Sequence, residues 1–373
     1  MSFFALMGRE ITILLKRRKL ILFILLFGAS AYALLVGNLY RNHVVTTIPL
    51  VICDQDQSSL SRSLARYIIE ADRVQVIASV QDEKEAYALL DKKEAEGLII
   101  IPQDFSKKIS RHEPVSLLFL TDGTNSLYQG YAMAPVQQAA AQFSAEREME
   151  TASLEKVPYL PAAPVYPSFR IKENPTQSYS FFYLYGVTIT AAQIGLMLSF
   201  AESLYEDLRN RTFQKISILK LLLAKEITFS LLSTAALLPA LTLITGFFHM
   251  PYKGSFLLFF ALYVVYTGAA LFMAALITFA FKTEIAMVQF LVFYALPSFL
   301  LSGYIWPDDA MLPMMKWISL LIPLHYITTD FRSLALSGTS GTFLSHFLIL
   351  LTISTAGYFF TAWMIRRRMR ENP

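Results

Sequence analysis

The charged segment between residues 202 and 226 has the side-chain types and spacing of a binding surface. It mixes acidic and basic residues over a few helical turns and then becomes apolar: Glu202, Glu206, Asp207, Arg209, Arg211 and Lys215 are followed by Ile216, Ile218, Leu219 and Leu222. Such a mixture predicts an amphipathic helix lying at a membrane surface. This helix could be a docking element that pushes on its neighbours, or simply an interfacial anchor. Residues 3–15, which include Arg9 and Glu10, could form a second such element.

Motifs for catalysis or for an internal energy source are absent from the sequence. The dipeptide Gly-Lys does not occur, so there is no phosphate-binding loop of the G-x-x-x-x-G-K-[ST] type. No nucleophile elbow is present, and the histidines lack metal-ligand spacing: His43, His112, His249, His325 and His346. We therefore expect a chain without enzyme activity, which is either passive or driven by a partner on its cytoplasmic face.

Long apolar stretches dominate the composition, with 55% hydrophobic residues and a mean hydropathy of +0.46. A helix of roughly 20 residues crosses the hydrocarbon core of about 30 Å. No predicted span has an ionisable residue in its interior, and no cleavage site follows Gly37, so we expect the first to be an uncleaved anchor. The predicted spans are Leu20 to Gly37, Phe181 to Ala201, Ile227 to Phe248, Ser255 to Phe281, Ile285 to Trp306 and Phe343 to Ile365.

The distribution of Lys and Arg predicts the orientation of these spans. Basic residues cluster in the segments 1–19, 202–226 and 366–373, so we expect these segments, and both termini, to be cytoplasmic. Residues 38–180 then lie outside the cytoplasm, and their 14 basic and 18 acidic residues make this part acidic. The overall charge of +4 therefore reflects topology and does not indicate nucleic-acid binding.

The segment 38–180 reads as an α/β domain inserted between the first span and the remaining five. Apolar strand patterns begin at Ile48 and Gly97, and helical periodicity separates them, so we expect a mixed sheet. The single cysteine, Cys53, has no partner for an intramolecular disulfide. Prolines recur every third residue within 157–175, which suits either a stiff polyproline II strap or an ordinary linker.

Two further features concern the interior of the bundle and its outer end. Gln193 and Gln289 are the only amides inside the second and fifth spans, and we expect them to face the protein interior or a translocation path. Residues 307–342 are apolar but interrupted by proline. They could dip into the outer leaflet as a re-entrant gate, or form a surface helix over the end of the bundle.

Several local patterns, together with the order of spans, resemble one known family. The external segment has Ile99-Ile100-Ile101-Pro102 and Thr121-Asp122-Gly123, and Arg170 with Asn174-Pro175 precedes the second span. The most specific block is Pro297, Leu301-Ser302-Gly303, Trp306-Pro307, Met311, Pro323-Leu324, Tyr326, Arg332 and Gly338. Over essentially the whole chain the sequence resembles the ATP-binding-cassette (ABC) type-2 permeases, bacterial exporter subunits whose ATPase is usually a separate chain.

The resemblance implies a polytopic α-helical permease of six spans in a 1+5 arrangement in the bacterial cytoplasmic (inner) membrane, exporting an apolar or amphipathic substrate. It implies a partner ATPase that carries ATP and Mg, a second permease copy or homologue, membrane lipid around the spans, and possible contact with a periplasmic or envelope protein. Asp207 and Thr212 fit the family's cytoplasmic loop, whereas Arg209 and Arg211 replace its usual Glu and Gly. A non-transporting receptor or envelope scaffold is the alternative.

On this interpretation the candidate residues fall into two groups. The first would couple the permease to its ATPase: Arg9, Glu10, Glu202, Glu206, Asp207, Arg209, Arg211 and Thr212. The second would line the translocation path or the outer gate: Gln193, Gln289, Pro297, Ser302, Gly303, Pro323 and Tyr326.

Overall fold

The computed structural model describes residues 2–40, 47–111, 113–121, 126–155 and 179–371. These residues belong to two compact units. One unit contains the described residues up to 40 and from 179 onwards, and the other contains those from 47 to 155. The predicted strap at 157–175 and the patterns at Arg170 and Asn174 lie outside the described residues.

The first unit begins with two helices joined end to end, α1 (Phe3–Arg17) and α2 (Lys19–Leu39). The side chain of Ser2 caps α1 by accepting a hydrogen bond of 3.2 Å from the backbone N–H of Ala5. One face of α2 is buried at Leu25, Ala29 and Ala33, which follow each other at intervals of one helical turn. The opposite face is exposed and apolar, as expected for a helix in contact with lipid.

The second unit contains alternating strands and helices. Its elements are β1 (Ile48–Asp54), α3 (Ser59–Ile69), β2 (Val74–Val80), α4 (Glu83–Asp91), β3 (Gly97–Ile101), α5 (Phe105–Ser110), β4 (Leu118–Thr121) and α6 (Ser126–Glu155). Within the described residues the strands form one sheet in the order β2-β1-β3-β4, in which β1 is parallel to β2 and β3, and β4 is antiparallel to β3. The six-residue α5 was not predicted, because so short a helix shows no periodicity.

Both faces of the central strands β1 and β3 are covered. Ile52 and Ile99 face a core shared with α3, α5 and α6, whereas Val51 and Cys53 face a second core shared with α4. Successive side chains of a strand point to opposite faces, so a strand buried on both faces must be apolar at every position. The uninterrupted apolar pattern of these strands follows from this three-layer arrangement.

The first unit continues with the remaining helices. They are α7 (Tyr179–Arg209), α8 (Thr212–Lys215), α9 (Ile218–Thr242, extended by a π-helical turn over Leu243–Phe247), α10 (Phe256–Ala280), α11 (Glu284–Leu300), α12 (Pro313–Ser319), α13 (Pro323–Ser337) and α14 (Phe343–Glu371). Among the described residues, α2, α7, α9, α10 and α14 are long and apolar enough to cross a membrane. The apolar helix α11 has 17 residues and is about 26 Å long.

The helix at the predicted fifth span, Ile285 to Trp306, is shorter than predicted. Helix α11 ends at Leu300, and the chain then turns through Gly303, whose φ of +73° is a left-handed conformation that favours glycine. A Cβ atom at Gly303 would lie 2.8 Å from Oδ1 of Asp308. The turn therefore ends the helix about one and a half turns before Trp306.

The predicted amphipathic surface helix over 202–226 is not a separate element, because the segment is divided between two long helices and a short one. Helix α7 continues eight residues past Ala201, and α9 begins nine residues before Ile227, so that α8 and a few flanking residues form the whole connection. Glu202, Glu206, Asp207 and Arg209 are consequently in the last turns of α7. The helices extend because most of these charges are paired across the bundle, as described below.

Helix α7 is central to the first unit and contacts α2 closely. A Cβ atom added at Gly195 would lie 2.8 Å from the Cα of Leu25, so the two backbones could not approach this closely with a larger residue. The hydroxyl groups of Thr188 and Ser199 are buried and donate to the carbonyls of Leu184 and Gly195 at 2.8 and 2.7 Å. These small residues serve helix packing, because their polar atoms are satisfied within α7.

Candidate functional site

Helix α1 buries one acidic residue in the middle of an apolar face. Leu6, Glu10 and Leu14 are its buried residues, spaced four apart, and Glu10 is 1% exposed. A buried carboxylate requires charged partners and hydrogen bonds, because its loss of hydration is otherwise very unfavourable. The partners of Glu10 define the site.

These partners come from α7 and α9, whose residues lie about 200 positions away in sequence. Lys225 is 0% exposed, and its Nζ lies 2.8 Å from Oε2 of Glu10 and 2.5 Å from Oδ2 of Asp207. The same Nζ donates to Oγ of Ser203 at 2.6 Å, and that hydroxyl donates to Oε2 of Glu10 at 2.6 Å. Arg9 completes the group by pairing with Asp207 through both of its terminal nitrogens, one of them 3.1 Å from Oδ2. We call Arg9, Glu10, Ser203, Asp207 and Lys225 the ionic lock.

The ionic lock is electrically balanced, with two cations and two carboxylates. Arg9 also contacts Oε1 of Glu10 at 2.7 Å, so each carboxylate has contacts with both cations. The hydrogen bond to Asp207 is the main reason that the pKa of Arg9 is raised, and burial opposes it. Because the charges neutralise one another, α1, α7 and α9 can meet without water at this point.

A second group of ion pairs lies beside the lock and is more exposed. Arg18, between α1 and α2, pairs with Glu202, with Glu206 at 3.2 Å and with Glu284 at 3.4 Å. Glu284 is the first residue of α11, so Arg18 connects α7 to α11. Arg17 adds a contact of 3.3 Å to Glu206, but its side chain is 72% exposed, and such a pair contributes little.

The structure therefore brings together five of the predicted coupling residues, namely Arg9, Glu10, Glu202, Glu206 and Asp207. The other three lie where α7 turns into α8: Arg209 and Arg211 are exposed, and Thr212 begins α8. Arg211 has a left-handed backbone with φ of +54° at the turn between the two helices. Phe213 on α8 is buried and holds this short helix against the bundle.

Sequence reasoning missed Lys225, Ser203 and Arg18 as members of this site. Lys225 had a detectable signal, since it shares a helical face with the buried Leu221, Leu222 and Thr228. A lysine on the buried face of a helix requires an acidic partner. The identity of that partner could not be read from the sequence, because Glu10 is in a different helix.

The predicted outer-gate residues cluster at the opposite end of α11 but make contacts typical of packing. Ser302 is buried and donates to the carbonyl of Phe299 at 2.7 Å, and the hydroxyl of Tyr326 donates to the carbonyl of Leu320 at 2.6 Å. Pro323 is the first residue of α13 and is buried, whereas Pro297 and Gly303 are half-buried. Helix α13 packs into the bundle, and α12 exposes Met314 and Trp317.

Two histidines at this end form pairs that the sequence did not predict. Asp330 on α13 is 0% exposed and accepts from Ser340 and Thr342 at 2.6 Å, and it contacts Nδ1 of His346 at 3.0 Å. Burial would raise the pKa of Asp330, but these hydrogen bonds outweigh it, so that the pKa is below its usual value. Among the described residues, no group of histidines, cysteines and carboxylates is arranged to hold a metal ion.

His325 lies next to this pair and is 6% exposed. Its Nε2 is 3.8 Å from Oδ2 of Asp308, and its ring centroid is 6.4 Å from that of His346. Burial is the main reason that the pKa of His325 is lowered; His346 adds to the effect and Asp308 opposes it. Protonation of His325 is therefore less favourable in the folded protein than for an exposed histidine.

The two predicted amides have different environments. Gln193 is 2% exposed and accepts a hydrogen bond of 2.6 Å from the hydroxyl of Tyr266, while its amide nitrogen donates to Ser298 at 3.2 Å. It connects α7 to α10 and α11 inside the bundle. Gln289 is exposed on α11, on a face with the apolar Ile285, Val292 and Leu296.

Comparison with known proteins supports the resemblance seen in the sequence. Residues 18–364 of the chain match the family described as "ABC-2 family transporter protein". Among curated proteins, the chain is 26% identical over 304 residues to "Probable multidrug ABC transporter permease YbhS" of Escherichia coli K12, with 78% of each chain covered. It is 22% identical over 331 residues to "Probable multidrug ABC transporter permease YbhR" of the same organism, with 87% of each covered. With these matches and its spanning helices, the chain belongs to the ABC-2 family of transporter proteins and is a multi-pass ABC transporter permease.

Proposed function

We propose that this chain is the permease subunit of an ATP-driven exporter that moves an apolar or amphipathic substrate out of the cytoplasm or the inner leaflet. The observation that carries the proposal is the ionic lock, which joins α1, α7 and α9 directly beside α8. Buried ion pairs resist separation, because an isolated charge would remain without a partner. A force applied to α1 or α8 would therefore move three helices together.

The energy would come from an ATPase on a separate chain, to which ATP and Mg bind. The sequence has no phosphate-binding loop, and the relatives are named as ABC transporter permeases. The exposed side chains around α8, namely Arg209, Arg211 and Gln214, would contact this ATPase together with the exposed side of α1. Closure of the ATPase would then push on α8, and the ionic lock would pass the movement to α7 and α9.

The orientation and the number of crossings are part of the proposal. Basic residues at the end of the bundle that holds the ionic lock favour a cytoplasmic location for both termini. Helix α11 would be the sixth crossing, since a short apolar helix is accommodated by local thinning of the bilayer. The α/β unit, residues 38–180 in the predicted boundaries, would then lie outside the cytoplasm.

The exposed face of α11 would line the path together with a second permease copy or a homologue. Ile285, Val292, Phe293 and Leu296 are between 52% and 72% exposed, and Gln289 is the one amide among them. An apolar face with a single hydrogen-bonding group suits an apolar or amphipathic substrate. At the outer end, α12 and α13 would close the path, and Ser302, Pro323 and Tyr326 would hold them in place.

The test is co-purification from native membranes in mild detergent, followed by mass spectrometry and an ATPase assay. An ATPase chain should remain bound to the wild type, and the purified permease alone should hydrolyse no ATP. Replacing Lys215 on α8 with glutamate should weaken the association, whereas Lys316→Glu at the outer end is the matched control. ATP hydrolysis by the permease alone, or the absence of any bound ATPase, would refute the proposal.

Orientation is tested separately with a membrane-impermeant maleimide on intact spheroplasts. The native Cys53 is 0% exposed and should give little background. A cysteine at Glu94 in the α/β unit should react, whereas one at Lys215 should react only after the membrane is opened. Labelling at position 215 from outside would overturn the proposed topology.

A further inference from the structure

A small cavity of about 180 Å³ lies behind α8, where α7 ends and α14 ends. Its walls are Leu208, Arg211, Phe213, Gln214, Arg368 and Met369, and Asp207 of the ionic lock closes one side. We infer that this cavity binds the phosphate-bearing headgroup of an anionic phospholipid. The inference adds a lipid site to the proposed function, and it requires only that this end of the bundle meets a membrane surface.

The charge of the cavity favours an anion. Arg211 and Arg368 both line it, and the planar guanidinium groups of arginine form paired hydrogen bonds with phosphate oxygens. Asp207 does not oppose this, because its carboxylate is neutralised by Arg9 and Lys225. The neighbouring cations of α14, Arg366, Arg367 and Arg370, further raise the local positive potential.

The position of the cavity favours a lipid over another anion. It lies at the ends of α7 and α14, two helices that are long and apolar enough to cross a membrane, so the headgroup layer of a bilayer would surround it. Basic pockets between spanning helices on the cytoplasmic side are common sites for anionic headgroups. The apolar side chains of Leu208, Phe213 and Met369 give this cavity a second surface, which would suit the aliphatic carbons next to a lipid phosphate but not a free ion.

The size of the cavity limits what it holds. A volume of about 180 Å³ lies below the range of roughly 300–1,000 Å³ that is usual for sites enclosing a whole ligand. A whole lipid is therefore too large for the cavity, so that a headgroup would enter it while the acyl chains remain in the bilayer. Because the cavity shares Asp207 with the ionic lock and Phe213 with α8, a bound lipid would hold the docking helix against the bundle.

The experiment measures lipid retention by native mass spectrometry. The full chain is purified, stripped of lipid in detergent and titrated with phosphatidylglycerol, phosphatidylcholine or inorganic phosphate. Arg211→Gln/Arg368→Gln removes both arginines of the cavity, and Arg366→Gln/Arg370→Gln is the matched control, since it removes the same charge from residues that do not line the cavity. Arg211→Lys/Arg368→Lys keeps the charge without the planar group.

We expect wild type and control to retain phosphatidylglycerol in preference to phosphatidylcholine. The glutamine pair should lose at least about tenfold in affinity, because it loses two charge-assisted contacts, and the lysine pair should fall between. Equal loss in the control would indicate non-specific attraction, and tight binding of inorganic phosphate alone would indicate a free-anion site; either result overturns the inference. If the glutamine pair does not fold, the lysine pair decides, because unchanged retention there contradicts recognition by guanidinium groups. Co-purification of an ATPase with the wild type and with Lys215→Glu reports on the proposed function separately from this readout, because Lys215 does not line the cavity.

Discussion

Replacing Lys225 tests whether the ionic lock holds the cytoplasmic ends of the helices together. Lys225→Met keeps most of the side-chain volume and removes the charge, so Glu10 and Asp207 would share only Arg9, with a net charge of −1 in a buried site. The four polar contacts of Nζ that are lost measure 2.5, 2.6, 2.8 and 3.3 Å. Breaking a buried pair of this kind destabilises a protein by about 3–5 kcal/mol.

The assay is the free energy of unfolding of the purified chain in mixed micelles with increasing denaturing detergent. Lys220→Met is the matched control, because the same substitution falls on the same helix at an exposed residue, and it should change stability by less than about 0.5 kcal/mol. The double variant Glu10→Gln/Lys225→Met restores neutrality and should be more stable than Lys225→Met alone.

The reasoning is refuted if Lys225→Met is as stable as Lys220→Met. It is also refuted if the loss from Glu10→Gln simply adds to that from Lys225→Met, since residues of one buried network should show a coupling energy of about 0.5–3 kcal/mol. If Lys225→Met lost less unfolding free energy than expected but more than Lys220→Met, water would reach Glu10 and Asp207, contrary to their 1% exposure.

Three further predictions concern packing, pH and the two amides. Gly195→Ala should destabilise the bundle by about 1–3 kcal/mol, because the new methyl group would meet the α2 backbone at 2.8 Å, whereas Gly8→Ala, with nothing within 4 Å, should be neutral or slightly stabilising in the same unfolding assay. Burial lowers the pKa of His325 in the folded protein. Below the ordinary histidine pKa of about 6.5, the unfolded chain therefore binds more protons than the folded protein. Stability should therefore fall as the pH is lowered from about 6.5 through the folded pKa, and His325→Asn should show a weaker dependence; an unchanged pH profile would contradict the prediction. Gln193→Leu should destabilise the protein by about 1–3 kcal/mol, because two hydrogen bonds are lost. Gln289→Leu should leave stability unchanged and alter transport in reconstituted vesicles. The reverse pattern would mean that Gln193, and not Gln289, lines the path.

Much of the architecture could be predicted because burial leaves a simple pattern in the sequence. The apolar run from Leu20 to Gly37 lies within α2, and the continuous apolar strands at Ile48 and Gly97 lie at the centre of the sheet. The prediction that the chain is an ABC-2 permease is confirmed by the family match over residues 18–364. The predicted topology, domain boundaries and site roles stay predictions.

The ends of α7 and α9 could not be predicted for a physical reason. Asp207 and Lys225 are charged, and an isolated charge signals a loop or an interface because its burial is unfavourable. That rule fails when opposite charges from separate helices meet, since each removes the reason for the other to stay in water. The same holds for Asp330 and His346, which lie on different helices and pair only in the folded bundle.

The segments that are apolar enough to enter a membrane, and the segment that folds as an α/β unit, were recognisable in the sequence alone. These properties depend on local composition and spacing, which do not require knowledge of distant neighbours. By contrast, the fold was needed to show that Glu10, Asp207 and Lys225 form one buried site, and that Gln193 is a packing residue while Gln289 is exposed. The energy of a buried charge or amide depends on its partners, and those partners come from other helices of the fold.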